Sequence, residues 1–482
     1  MTSRLLGLRE RNVVAAAAFA LLCIERMKLI MRGVPIGPDE IVYSGMAYRW
    51  LGRIPKTWAF APNRSRGIAL IITPLYWVKH TIGVFHRVSF ALLSLALVGV
   101  TYLIGRRFLG PAVAAITAMA FGLFRVNVFT SIQLLPDVPA ALVVSLAFLT
   151  YWRAVVDGDG WLWPIGAFLG MAFFFNPAFS FLAGFAIAVD FLIGHRREIL
   201  SKRVALTAGA MGIFLGPYFI RAWIDHGSPF TVVSKSLAGS AKLGGPLPGQ
   251  APGYVQYARW FFDGRTLFGP VIGAFVIAGF ILLIVSAVRS RPIPRKHATA
   301  IIAWLVIPSV GMALLFHAEG RFLMVAYPAF FLTVGVVVKA LATVHAKIVL
   351  AAALIGLALF GVNQYRNSES NLLSYNIAYG PRHKTVLAVR AQATPPCRIF
   401  AFTPVLFEMF TPCTASGYPE DAAELERLSA NVTTYYVEFG AGERNAKPPP
   451  YLHEYLDSHA VQSLVVANRR RNRVVRVYVY TG

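Results

Sequence analysis

From residue 12 to residue 363 the chain returns repeatedly to runs of roughly 20 apolar residues, the length an α-helix needs to cross the ~30 Å hydrocarbon core of a bilayer. Only helices and closed barrels satisfy their own backbone hydrogen bonds in lipid, so such runs imply an α-helical polytopic membrane protein. Composition agrees: of 482 residues, 56% are hydrophobic and only 14% charged. The runs fall near 12–31, 86–105, 110–130, 136–154, 161–177, 178–194, 204–221, 267–288, 298–316, 322–340 and 346–363, which predicts about 11 transmembrane helices. Arg4, Arg9 and Arg11 precede the first run as in a signal sequence, but no convincing cleavage site follows, and the segment is read as an uncleaved first span.

The formal net charge is +24, yet the basic residues sit in short gaps between apolar runs rather than gathered with aromatics on one module. That pattern speaks for topology and anionic lipid head groups as partners, and against nucleic acid. The three cysteines, Cys23, Cys397 and Cys413, have no zinc-site spacing.

Short loops rich in Lys and Arg stay in the cytoplasm. Arg4/Arg9/Arg11, Arg106-Arg107, Arg196-Arg197 with Lys202-Arg203, and Arg289, Arg291, Arg295 and Lys296 all fall on one side of an eleven-span count. This predicts a multi-pass protein of the inner cell membrane with a cytoplasmic N-terminus and an external, periplasmic tail. The apolar stretch Ile68 to Val84 is read as re-entrant or interfacial, because counting it as a span would move Arg106-Arg107 outside. Two domains are expected: a transmembrane domain, 1–365, with a long external first loop, 32–85, and an external α/β domain, 366–482.

With sidedness assigned, three acidic sites fall on the external face. Asp39-Glu40 opens the first loop, Asp137 sits in LLPDVP at the start of the fourth span, and His317-Ala318-Glu319-Gly320-Arg321-Phe322 joins spans nine and ten. Each also has a structural reading. Pro38, Asp39 and Glu40 suit a helix N-terminus, Asp137 suits a cap, and the third segment suits an exposed turn. From Ile41 to Leu51 the apolar Val42, Met46 and Trp50 recur every fourth residue, which predicts an amphipathic helix on the membrane surface. Neighbouring helical residues point about 100° apart, so Asp39 and Glu40 cannot share one task on one face.

These separated pieces resemble the GT-C superfamily, polytopic glycosyltransferases that use polyprenyl-phosphate-linked sugars on the non-cytoplasmic face. PDE at 38–40 followed by Arg64-Ser65 is similar to the first loop of mannosyltransferases of the GPI and dolichol pathways, and LLPD at 134–137 to the second acidic motif. Pro217-Tyr218 to Arg221, followed by Gly227-Ser228-Pro229-Phe230, resembles lipid A aminoarabinose transferases and protein O-mannosyltransferases. HAEGRF at 317–322 is similar to a His-x-Glu-x-Arg-Phe motif of the GPI group, with Ala318 where lysine is usual.

The resemblance implies inverting transfer of a sugar from a polyprenyl-phosphate donor to a hydroxyl on a glycolipid, polysaccharide or protein. Such a reaction needs a base for the acceptor proton and positive charge for the departing phosphate. The base maps to Asp39, with Glu40 as second choice. Arg64, Arg66, Arg221, Arg321 and His317 are the candidates for the phosphate, and Asp137 and Glu319 for acceptor hydroxyls or for bracing an arginine. Lys79, His80, His86 and Arg87 are weaker alternatives, and Arg26 a possible helper at the donor. A phosphate that leaves as an anion needs no general acid, so no cofactor is called for, while a divalent metal stays open.

In the tail, CRIFAF, TTYYVEF, VQSLVVAN and RVVRVYVY read as strands and DAAELERLSA as a helix. Asn468 to Arg473 reads as a hairpin turn, and Cys397 and Cys413 as a candidate disulfide in an oxidising compartment. The rival to an enzyme is a transporter or lipid flippase, which predicts inverted repeats and functional groups at mid-membrane, and neither is visible.

Overall fold

In the computed structural model the described residues are 18–53, 66–80, 82–195, 199, 201–231, 234, 251–263, 268–315, 318–401, 403–439, 455–456, 458, 460–468 and 473–480. They divide into two compact units. One comprises Met1–Ile30, Ala61–Ile68 and His86–Glu369, and the other Met31–Phe60, Ala69–Phe85 and Ser370–Gly482. Residues 32–53 and 69–80 of the long first loop thus group with the C-terminal residues.

The described secondary-structure elements of the first unit are all helices. Seven described helices are long and apolar enough to cross a membrane, or eight if a bent pair is one span. Gly269–Arg289, with 21 residues, is typical: about 32 Å at 1.5 Å per residue, matching the bilayer core. The described parts of the eleven apolar runs lie largely on helices, but five of the runs differ from simple spans. The first is described only from residue 18. The run at 110–130 is broken into Pro111–Leu123 and Arg125–Ser131, bent by 58°. The break is Phe124, whose backbone is extended (φ −62°, ψ 123°), and the side-chain oxygen of Gln364 accepts the amide of Arg125 at 3.0 Å, satisfying an orphan N–H of the second half. The run at 161–177 forms Trp163–Phe175, only 13 residues. The last two runs lie on Tyr327–Gln392, interrupted by non-helical backbone at His345.

Helix–helix packing in this unit uses small residues and satisfied polar pairs. A Cβ on Gly279 would stand 2.2 Å from the Thr333 carbonyl oxygen, so only glycine lets those two backbones approach so closely. Trp304 Nε1 donates to the Val325 carbonyl at 2.9 Å and Trp152 Nε1 to His297 Nδ1 at 2.8 Å. Aromatic rings of Phe124, Phe268, Tyr327 and Phe331 fill the space between, with Phe124 edge-on to Tyr327 at 4.9 Å.

The apolar stretch after residue 68 forms Gly67–Val78, 12 residues long and therefore about 18 Å, well short of a bilayer crossing. In the second unit a five-stranded sheet comprises β1 (Cys397–Ala401), β2 (Thr414–Ser416), β3 (Thr433–Phe439), β4 (Val461–Asn468) and β5 (Arg473–Tyr480), in the order β2-β1-β3-β5-β4. β1 runs parallel to β2 and β3, and β5 antiparallel to β3 and β4. The four strands and the helix (Ala422–Ser429) expected here are present, while β2 and the helix Pro404–Phe410 were not anticipated. Asn468 pairs with Arg473, as a hairpin requires, although 469–472 lie outside the described residues.

The parallel register of β1 and β2 sets Arg398 beside Thr414, so the preceding residues Cys397 and Cys413 adjoin, and they are joined by a disulfide across a separation of 16 residues. Both are buried. Closing a loop of that size is worth about 3 kcal/mol in the chain-entropy model. Cys413→Ser is therefore expected to lower the unfolding midpoint of the sheet unit by an amount equivalent to about 3 kcal/mol, read by thermal melting of the purified protein. An unchanged midpoint would assign the bridge no structural weight.

Candidate functional site

Two groups of candidate residues are seen, one in each unit. In the first unit, Asp137 begins the helix Asp137–Tyr151 directly after Pro136, where a carboxylate meets the positive end of the helix dipole. The turn before it is held from behind. Arg87, buried, donates to the Ile132 carbonyl at 2.6 Å, the residue that ends Arg125–Ser131.

Facing Asp137 is Arg321, from the turn before the tenth apolar run. Its Nη1 lies 3.9 Å from Asp137 Oδ2 and its Nε 2.5 Å from Glu319 Oε2. Asp137 is 2% exposed, Arg321 22% and Glu319 36%, so the cluster grades from a buried carboxylate to a wetter one. The cation also lies over the Phe322 ring, 5.2 Å from its centroid.

Two tyrosines hold the turn that carries Arg321. Tyr257 donates its hydroxyl to the Glu319 carbonyl at 2.8 Å and accepts the Glu319 amide at 3.1 Å. Tyr327 donates to the Gly320 carbonyl at 2.6 Å. Burial pushes the Tyr257 phenol above its ordinary range, keeping it protonated and able to donate. Tyr257 was not foreseen; its signal is the aromatic-rich helix Gly253–Phe261 just before the eighth apolar run.

In the second unit, Asp39 and Glu40 open the helix Pro38–Trp50. Glu40 is buried, its Oε2 accepting the Gly37 amide at 2.8 Å as the carboxylate half of a capping box and lying 3.5 Å from the Tyr375 hydroxyl. A Cβ at residue 37 would come within 1.8 Å of that hydroxyl, so glycine is required for Tyr375 to reach the cap. Asp39 is half-buried. The helix departs from the amphipathic surface helix expected. Tyr43, Ser44, Gly45, Met46, Ala47 and Tyr48 are all buried, so it is enclosed around most of its circumference. Helix Pro404–Phe410 packs on it, and Tyr76 stands edge-on to Tyr48 at 4.7 Å. Those covers come from distant sequence, beyond the reach of a local pattern.

Arg66 and Arg221 are exposed in the first unit, while Arg64 and His317 lie outside the described residues. His86 is fully buried. Arg26 is committed to structure: its guanidinium donates to the Leu22 and Gly122 carbonyls and to Ser94 Oγ, at 3.2, 3.0 and 3.0 Å. Among the described residues no three His, Cys, Asp or Glu side chains come together as metal ligands would.

Residues 68–219 match the sequence family described as Dolichyl-phosphate-mannose-protein mannosyltransferase. The match contains Asp137 and leaves Asp39 and Arg321 outside. Over nearly full length, the chain superposes on ArnT from Cupriavidus metallidurans bound to undecaprenyl phosphate, with a TM-score of 0.70, 15% identity, and 97% of this chain and 98% of that one covered. The chain has the GT-C glycosyltransferase fold. The Archaeoglobus fulgidus oligosaccharyltransferase complex with Zn and sulfate is also similar, with a TM-score of 0.56, 12% identity, and 87% and 67% covered. So is the arabinofuranosyltransferase AftD from Mycobacteria, with a TM-score of 0.51, 13% identity, and 96% and 40% covered. No curated protein sequence matches the chain. Family match and GT-C fold together support a membrane glycosyltransferase.

Removing Arg321 would take one guanidinium from beside the buried Asp137 carboxylate. Fully buried pairs lose 3–5 kcal/mol in that way, and the 3.9 Å separation and partial hydration of Arg321 reduce the expected loss for Arg321→Gln to about 2 kcal/mol. Adding Asp137→Asn is expected to recover part of it. Thermal melts of the two single variants and the double variant measure the coupling, and strictly additive losses would rule out the ion pair as a stabilising unit.

Proposed function

We propose that this GT-C chain transfers a sugar from a polyprenyl-phosphate-linked donor to a hydroxyl of a glycolipid, polysaccharide or protein, on the external face of the cell membrane and with inversion. The observation that carries the reading is the buried Asp137 carboxylate beside the partly exposed Arg321, in a chain whose fold matches a protein solved with undecaprenyl phosphate. A guanidinium presents N–H donors in a planar fork suited to phosphate oxygens, and carboxylates beside it fix its direction. In this scheme Arg321 stabilises the phosphate as it leaves, with Arg66 and Arg221, and Arg64 and His317 from the sequence alone, as further donors. Asp137 and Glu319 orient Arg321 or accept acceptor hydroxyls.

Asp39 is assigned the role of base. It takes the acceptor proton as the oxygen attacks the anomeric carbon from the side opposite the phosphate, and the glycosidic C–O bond to phosphate breaks with both electrons on the departing oxygen. Glu40 is assigned the structural half of the pair, since its carboxylate caps the helix that carries Asp39.

The two acids are separable by experiment. In membranes supplied with a polyprenyl-phosphate sugar, Asp39→Asn is expected to reduce transfer at least about 100-fold, the scale of lost general-base catalysis. Glu40→Gln is expected to stay within about threefold of the parent, because glutamine also serves at the third position of a capping box. The reverse ordering would exchange their roles. Sidedness has its own test: a reporter enzyme active only outside the cytoplasm, fused after Gly482, is expected to be active, and cytoplasmic activity instead would overturn the external assignment.

A further inference from the structure

The end of the first unit opposite Asp137 carries a second charged cluster. Asp137 begins and Val156 ends one apolar helical stretch of 20 residues, so about 30 Å of helix separates them. The last part of that stretch, Trp152–Val156, is π-helical, and three other segments converge at its end. Lys296 Nζ donates to the Val156 carbonyl, Arg107 Nη1 donates to Asp157 Oδ2, and Lys339 Nζ donates to the carbonyl of Phe108, the residue after Arg107. His297 lies among them, buried, its Nδ1 accepting from Trp152 Nε1 at 2.8 Å and its ring stacked on Phe108 at 5.5 Å. The charges of Asp157, Lys296, Lys339 and Arg107 all act on that imidazole, which groups the four around one point.

The balance of charge there is positive. Around His297 one carboxylate faces three cations, and Arg106, Arg153 and Arg203 stand exposed at the same end against Asp159. Asp157 neutralises Arg107, but among the described residues Lys296 and Lys339 are held by backbone carbonyls, which supply no net charge. Each ammonium has three N–H donors, of which that bond uses one. Lys296 is exposed and Lys339 half-buried. The loop that follows presents Trp161, 74% exposed, and Trp163, 47% exposed, indole rings of the kind that sit at the head-group level of a bilayer. Arg203 Nη2 ties that loop down by donating to the Gly160 carbonyl at 3.1 Å.

We propose that this end of the unit binds the phosphate of an anionic phospholipid through Lys296 and Lys339. Any phospholipid phosphate would meet the two cations. A zwitterionic head group brings an ammonium of its own into their field, whereas an anionic one brings none, so the excess positive charge selects the second. A membrane lipid is favoured over soluble phosphate because the cluster ends a membrane-crossing stretch and is flanked by exposed indoles, where acyl chains have apolar helix to lie against. On the sidedness proposed above, the leaflet is the cytoplasmic one. The binding rests on the membrane-spanning fold and is independent of the sugar-transfer chemistry.

The test is native mass spectrometry of the full-length protein in detergent, with phosphatidylglycerol or phosphatidylcholine of the same acyl chains added. Phosphatidylglycerol is expected to be retained at least about tenfold more than phosphatidylcholine, and Lys296→Gln and Lys339→Gln each to reduce that preference about fivefold, the weight of one basic residue near an anionic surface. Lys28→Gln removes the same charge from the first apolar run and is expected to match the parent. The double variant Lys296→Arg/Lys339→Arg keeps both cations and is expected to keep the preference, which separates charge from packing. Equal retention of the two lipids, an undiminished preference in both glutamine variants, an equal fall in Lys28→Gln, or loss of the preference in the arginine double variant would overturn the proposal. So would displacement of phosphatidylglycerol by an equal concentration of inorganic phosphate, the result a soluble-phosphate site would give.

Discussion

Lipid offers no hydrogen bonds, and every polar group in the membrane-spanning unit must therefore find its partner inside the protein. The first unit shows how this shapes the chain. Arg26 donates to two carbonyls and to Ser94 Oγ, and Ser94 in turn donates to Asn127 Oδ1 at 3.0 Å. Tyr151 donates to Asp190 Oδ2 at 2.7 Å, and Gln364 closes the break at Phe124. An ionisable residue within a span invites a functional reading, but Arg26 and Asp190 serve instead to join helices. Their engagement separates them from the Glu319–Arg321 turn, which stays partly open to solvent while its backbone is tied down by Tyr257 and Tyr327.

That separation explains which features were legible in the sequence. Long apolar runs translate directly into helices, because hydropathy over about 20 residues is a property of composition and requires no knowledge of neighbours. Alternation does the same for β3, β4 and β5, which were expected over the same residues they occupy. The pairing of Asp137 with Arg321 was legible only as a shared membrane face; the 3.9 Å approach depends on a turn held by Tyr257. The aromatic-rich helix Gly253–Phe261 marks the neighbourhood of Tyr257, but the bond it makes to that turn is set by tertiary packing.

Local pattern failed where distant chain covers a surface. Helix Pro38–Trp50 has apolar residues spaced as on a surface helix, yet its polar-looking flank is buried beneath segments from residues 69–80 and 370–412. The same effect hides β2, three residues long, whose place in the sheet comes from its parallel pairing with β1 and the adjoining disulfide rather than from its own propensity. Short elements that owe their existence to a neighbour leave no periodic trace.

The adjacent acids at the start of that helix join these strands of reasoning. A capping box asks for a carboxylate three residues beyond the cap, and that position is Glu40, buried against the Gly37 amide. Asp39, one residue earlier and turned about 100° away, does not share this cap and remains half-buried. A helix start held by Glu40, Tyr375 and the glycine at the cap fixes the backbone from which Asp39 projects. Rigid support of this kind is what a reacting carboxylate requires, since a base misplaced by an ångström forfeits much of its effect. The pair is thus better understood as one residue that positions the helix and one that the helix positions.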